Sequence, residues 1–142
     1  ISGGAIRLGL GEVKELKEVS NYIDNFGKPI LGICAGHQFI GVHFGGKAQP
    51  APKPEYGKVE LFIDKEDDLF KGLPKKFNVW ASHNDEVVNV PHFRVLAHSK
   101  DCKNEAMKHE KRPIYGCIFH PEVEHTEHGE EIYANFVRMC KH

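Results

Sequence analysis

Apolar residues recur at steps of three and four through the stretch "EVKELKEVSNYIDNF", at Val13, Leu16, Val19, Tyr22, Ile23 and Phe26, and Gly27 follows. That spacing predicts an amphipathic helix closed by a glycine cap. The next apolar segment is a continuous run, residues 30–33 within "KPILGICAGHQFIG", too short for a helix and without polar alternation. It reads as a parallel strand buried on both faces. Phe39, Ile40 and Phe44 then return to helical spacing before Gly45 and Gly46. Beyond the irregular, proline-rich residues 50–54, "KPEYGKVELFID" and "FNVWAS" read as strands. "FRVLAHS", "EAMKHE" and "PIYGCIFH" continue the strand-rich half, with a strand over 114–119. "EHGEEIYANFVRMC" is a closing amphipathic helix with Ile132, Phe136, Val137 and Met139 or Cys140 on its inner side. Helices alternate with strands in the first half, and strands follow one another directly in the second. The pattern predicts an α/β fold with an open mixed, mostly parallel sheet flanked by helices.

Composition narrows the function classes. The 142 residues, 40% hydrophobic and 27% charged, fit one domain, 1–142, with no second domain required. Nineteen basic against 20 acidic residues give a formal charge of −1, which leaves no electrostatic footprint for a nucleic acid or a membrane surface. No apolar run approaches the roughly 20 residues of a membrane span. The four cysteines, Cys34, Cys102, Cys117 and Cys140, form no CxxC pair, so a disulfide frame is not expected and a reducing, cytoplasmic setting is. Cys117 and Cys140 are expected in the core.

The candidate chemistry begins at Cys34, at the turn between the buried strand and the next helix. A helix N-terminus favours thiolate, so a lowered thiol pKa is expected there. Gly32, Ala35 and Gly36 leave room for a sharp turn. On this pattern alone Cys34 is either a nucleophile or a small buried hydrophobe. "YGCIFHPEVEHTEHG" places His120 beyond the end of a strand, with Glu122 after a proline. In an open α/β sheet both segments reach the carboxyl edge, where His120 could exchange the thiol proton and Glu122 hold its ring. A lone H-P-E also suits a polar loop. The glycine turn "ISGG" offers backbone N–H groups for an oxyanion at Gly4, with a second at Ala35, although a plain β-turn reads the same way.

Taken together, "ISGGA", "ILGICAGHQFIG", "PEYGKVEL", "WASHNDEV", "EAMKH" and "PIYGCIFHPEVEHTEHG" resemble, in order and over nearly the whole chain, the class I glutamine amidotransferases, whose sheet is flavodoxin-like. "WASHNDEV" and "HPEVEHTEHGEEI" carry a narrower resemblance to the separate glutaminase subunit of archaeal GMP synthetases. The resemblance implies an enzyme with Cys34 as nucleophile, His120 as base and Glu122 as its carboxylate partner. It implies glutamine contacts near Gly4, Gln38, Ser82, Asn84 and Asp85, the last three in a turn. It further implies L-glutamine as substrate, no cofactor in this subunit, and as partner an ATP-pyrophosphatase synthetase subunit that uses ATP and magnesium to convert XMP to GMP. Asp85 and Glu86 are expected as polar contacts to that partner. The chain departs from the family pattern at Ala5-Ile6, at the small Ala35 and at Asn84. The strand and helix the family carries ahead of "SGG" are expected to be missing from this chain.

Within the resemblance, an amidotransferase subunit serving another acceptor is the alternative to GMP formation, and two other classes fit parts of the sequence. His120, His125 and His128 stand close together among ten histidines, but no H-E-x-x-H is present and no metal site is expected. A non-catalytic binding module on the same fold would not need the Cys34, His120 and Glu122 set.

Overall fold

A computed structural model describes residues 2–3 and 13–141, with side chains from 17 onward. The elements run β1 (Ser2–Gly3), α1 (Val13–Asn25), β2 (Ile30–Cys34), α2 (Ala35–His43), β3 (Lys47–Ile63), β4 (Lys76–Val88), β5 (Phe93–His98), β6 (Ala106–His109), β7 (Ile114–Cys117) and α3 (Gly129–Cys140), with a 3-10 turn at Asp68–Phe70. One sheet takes the order β1-β2-β7-β6-β5-β3-β4. The mixed α/β sheet is the one expected, but its balance differs. Only β1 with β2 and β2 with β7 pair in parallel among the described residues, and the other four pairings are antiparallel. The reason is local: β3 to β7 follow one another through loops with no crossover α-helix, and such connections favour antiparallel neighbours.

Strand β2, between β1 and β7, feeds both faces of the sheet. Leu31 and Ile33 enter the cluster of Leu61, Phe77, Leu96, Tyr115 and Ile132 beneath α3. Ile30 enters the cluster of Ile23, Phe39, Ile40, Met107 and Ile114 beneath α1 and α2. Alternation inside an all-apolar run is what a strand covered on both sides requires. Gly32 is fixed by this packing, because a Cβ there would lie 2.6 Å from Ile40 Cδ1 and 2.7 Å from the Gly36 backbone. The first turn of α2 therefore rests directly on β2, which sets where Cys34 emerges.

Three expectations change. The proline-rich segment 50–54 is not a loop: β3 runs through it, absorbing the irregularity as a register shift between Pro50 and Glu55 opposite β4. Prolines lack a ladder donor, and a bulge is where a strand tolerates them. β7 stops at Cys117 rather than at residue 119, and Ile118 and Phe119 continue as buried chain. On α3 the inner side is Ile132, Asn135, Phe136 and Met139, whereas Val137 is 49% exposed and Cys140 faces solvent. Asn135 takes an inner position because its side-chain amide donates to the Leu69 and Lys71 carbonyls, which ties α3 to the 3-10 turn.

The start of α3 yields a stability prediction. A Cβ on Gly129 would lie 2.2 Å from the Pro121 carbonyl oxygen, a backbone atom next to both His120 and Glu122. Gly129→Ala is expected to destabilise the fold by about 1–3 kcal/mol, the usual cost of overpacking, and to lower any activity that depends on His120 and Glu122 beyond that loss of folded protein. Thermal unfolding paired with activity per folded molecule checks it; an unchanged melting temperature would refute the close approach.

Candidate active site

Cys34 is the last residue of β2 and caps the N-terminus of α2 with φ 52° and ψ −106°. A non-glycine residue at positive φ costs on the order of 1–3 kcal/mol and persists only where its surroundings enforce it. The strain turns the side chain out of the strand at the sheet's carboxyl edge. There the thiol donates to the Ser82 carbonyl at 3.7 Å. Ala35 opens the helix, and its backbone N–H pulls the thiol pKa down. Burial nevertheless pushes the thiol up by more, and the Glu122 carboxylate adds to that rise. The expected helix-lowered thiol is thus corrected: desolvation outweighs the N-terminal field, and the resting group is the neutral S–H.

His120 reaches the same edge from β7. Parallel pairing sets Ile33 opposite Cys117, so both strands end side by side. The His120 N–H donates to the Trp80 carbonyl at 2.8 Å. The Trp80 carbonyl and the Ser82 carbonyl beside Cys34 are two residues apart on β4, about 7 Å along a strand. The loop after β7 lies along β4 as an improvised strand. Trp80 N–H donates to Thr126 Oγ1 at 3.0 Å, Thr126 Oγ1–H donates to the His120 carbonyl at 2.6 Å, and Glu127 N–H donates to the Asn78 carbonyl at 2.9 Å. His120 Nδ1 donates to Glu122 Oε1 at 2.5 Å, with Glu122 41% exposed. The edge therefore gathers Cys34, His120 and Glu122.

Of the other expected residues, Gly3 pairs with Cys34, while Gly4 lies outside the described residues. Gln38 is buried one turn into α2, and its amide nitrogen donates to the Asp85 carbonyl at 3.0 Å, so it braces β4 beside the thiol. Ser82, Asn84 and Asp85 are not in a turn. They belong to β4, which continues to Val88 because β3 follows it through the bulge. Ser82 and Asn84 face solvent, and Asn84 Oδ1 accepts from the exposed Tyr56 hydroxyl at 2.5 Å. Glu86 is not a surface contact: it is 6% exposed and accepts from the Gln49 amide at 3.0 Å.

Four polar residues that the sequence pattern did not single out, His83, Glu55, Ser99 and Glu105, are buried behind this edge. His83 points inward, its Nδ1 donating to the Asp85 carbonyl at 2.9 Å and its Nε2 meeting Glu55 Oε1 at 2.9 Å. The available signal was the period of two that puts His83 in phase with buried Val79 and Ala81. His37 is fully buried and neutral, held down to about 4 by burial, so it brings no cation to Cys34. His125 packs on the Trp80 ring, and His128 pairs with Glu131 at 2.6 Å, so these two histidines are engaged separately. A groove of about 800 Å³ lined by Gln49, Val88, Phe93, Lys100 and Met107 lies apart from Cys34, His120 and Glu122.

A strained strand-to-helix cysteine at the same sheet edge as a carboxylate-held histidine is an arrangement for acyl transfer. The glutamine amidotransferase class I model matches residues 1–140. The chain belongs to the class I glutamine amidotransferases. The amidotransferase is 54% identical over 140 residues to the glutamine-hydrolysing GMP synthase subunit of Pyrococcus abyssi, covering 98% of this chain and 73% of that protein. It is 55% identical over 123 residues to the corresponding GMP synthase subunit of Thermococcus kodakarensis, covering 86% of this chain and 65% of that one. A crystal structure described as a GMP synthase subunit from Thermoplasma acidophilum is similar with a TM-score of 0.92 at 44% identity, over 99% of this chain and 70% of that chain. A glutamine amidotransferase from Thermotoga maritima, 19% identical over 98% of this chain and 60% of its own, shares the fold with a TM-score of 0.77. The chain thus spans about two thirds to three quarters of these GMP synthase relatives.

Proposed function

We propose that this amidotransferase is the glutamine-hydrolysing subunit of a GMP synthase, splitting L-glutamine into glutamate and ammonia for a separate synthetase subunit. The observation that carries this reading is the near-complete match, at about half identity, to subunits named for that activity, joined to the Cys34, His120 and Glu122 edge.

Glu122 engages His120 Nδ1, which directs Nε2 to the chemistry. His120 takes the Cys34 proton as the sulfur attacks the side-chain amide carbon of glutamine. The C=O π pair moves onto oxygen, and the Ala35 N–H, with that of Gly4, receives the charge. Collapse breaks the C–N bond while His120 returns its proton to the departing ammonia. Water, deprotonated by His120, then opens the thioester to glutamate and restores the thiol. Gln38 holds the Asp85 segment of β4, so that Ser82, Asn84 and Asp85 can grip the ends of the substrate. In this proposal the subunit needs no cofactor of its own, acts in the cytoplasm, and leaves ATP, magnesium and XMP to its partner.

Hydrolysis without an acceptor wastes glutamine, so the reading predicts coupling: a low glutaminase rate in isolation that rises about tenfold or more with the synthetase, ATP and XMP, within the usual range of coupling energies. Steady-state ammonia release under those conditions tests it. Failure of the subunit to restore glutamine-dependent GMP formation to an ammonia-dependent synthetase would sink the assignment. Equal rates with and without the partner would remove the coupling.

A further inference from the structure

Glu105, on the turn just before β6, is fully buried, and among the described residues no cationic donor holds either carboxylate oxygen; the polar groups around it are the Glu55 carboxyl, the Ser99 hydroxyl and the Cys102 thiol. A buried, unpaired carboxylate costs several kcal/mol, so its surroundings must explain it. They are more acid than base. Side-chain ligand atoms of Glu55, His83, Cys102 and Glu105 all lie within 4.8 Å of one another. Glu55 Oε1 already meets His83 Nε2 at 2.9 Å, and Oε2 accepts from the Ser99 hydroxyl at 2.6 Å. Ser99 Oγ in turn accepts the Cys102 N–H at 3.1 Å. Glu86 from β4 adds negative charge near Cys102, and His37 from α2 faces His83.

Two carboxyl groups this close cannot both be ionised without a cation or a proton between them. A metal ion would have to replace bonds that Glu55 and His83 already make inside the protein. A proton fits without rearrangement: Glu105 stays a neutral acid and donates to Glu55, which stays charged against His83. Burial and the Glu55 carboxyl both push Glu105 well above the usual carboxylate range, while hydrogen bonds from His83, Glu105 and Ser99 outweigh burial and hold Glu55 below it.

The arrangement leads to both halves of the site. His83 follows Ser82, whose carbonyl faces Cys34, and it holds the Asp85 carbonyl that Gln38 also holds. The Glu105 carbonyl accepts the Ile118 N–H at 2.9 Å, two residues before His120.

We propose that Glu105 is a positioning residue for glutamine hydrolysis: as a buried neutral acid donating to Glu55, it locks the Glu55–His83 pair that sets the β4 segment beside Cys34. This inference rests on the glutaminase reading only for its kinetic consequence.

The test uses the subunit together with its synthetase. Glu105→Gln keeps a donor for Glu55, whereas Glu105→Leu removes it. Glu105→Leu is expected to raise KM for glutamine about tenfold, the loss of one buried hydrogen bond, with kcat changed less, and to speed amide hydrogen exchange across residues 82–86. Glu105→Gln should keep the wild-type KM and exchange. The wild type should also carry a carboxylic-acid C=O infrared band at neutral pH that is missing from Glu105→Gln.

Equal damage by Gln and Leu, no damage by Leu, or an infrared spectrum without that band would overturn the proposal. So would a divalent metal held stoichiometrically by the isolated wild-type subunit and lost from Glu105→Gln. The infrared and exchange measurements need no turnover. A protein that does not hydrolyse glutamine would refute the proposed function while these still decide the state of Glu105. If Glu105→Leu does not fold, the comparison of wild type with Glu105→Gln decides alone.

Discussion

Cys34→Ala is expected to lower glutamine hydrolysis by at least about 10⁴-fold, as loss of a nucleophile does in comparable triads, while leaving the fold intact. The backbone strain at φ 52° is the same for alanine as for cysteine, so the substitution takes away the sulfur without adding distortion. The other cysteines serve as internal controls. Cys102 and Cys117 are buried and Cys140 is exposed. Changing the first two to alanine should affect stability by a cavity-sized amount, about 1–3 kcal/mol, and changing Cys140 should do little. Ammonia release by each variant, normalised to folded protein, is the measurement. Retained turnover in Cys34→Ala would end the assignment of Cys34.

The second large effect is expected at His120. Because burial leaves the Cys34 thiol neutral and above its ordinary pKa, the attack depends on a base to take its proton. His120→Asn should therefore cost about 10⁴-fold near neutral pH, and its residual activity should climb with pH as the thiol ionises unaided. The sign follows from the raised pKa: thiolate is scarce at neutral pH and grows only on the alkaline side. Glu122→Gln should be about ten to a hundred times milder than His120→Asn, since an orienting carboxylate contributes less than the base it orients and Glu122 is 41% exposed. A pH profile of kcat/KM for the three proteins decides the matter. A flat residual rate in His120→Asn, or a Glu122→Gln protein as inactive as His120→Asn, would reassign the roles.

What the sequence disclosed and what it hid divide along physical lines. Cys34 was legible because an unbroken apolar run, small residues and a helical pattern meet there, and each depends on neighbours within a few positions. His120 was legible for the same reason, at the end of a second apolar run. Residues 82–85 misled because serine, asparagine and aspartate favour turns, whereas the opposing strand, more than 25 residues earlier, holds them extended. The buried Glu55, His83 and Glu105 could not be foreseen as a group. Polar residues belong inside only when they find one another, and that pairing joins β3, β4 and the turn before β6. Val137 reads as an inner residue of α3 from its apolar character, yet Asn135 holds the inward position through hydrogen bonds rather than apolar contact.

The parallel pairing of Ile30–Cys34 with Ile114–Cys117 also orders events in time. The long hairpin of β3 and β4 joins neighbours in the chain and can form early, but Cys34 and His120 come together only after some eighty intervening residues have been gathered and a distant strand inserted between β2 and β6. Closing so large a loop is the slow kind of step in folding. In a growing polypeptide Cys34 is therefore made long before His120, and the edge that gathers them is completed only by one of the last long-range contacts to form.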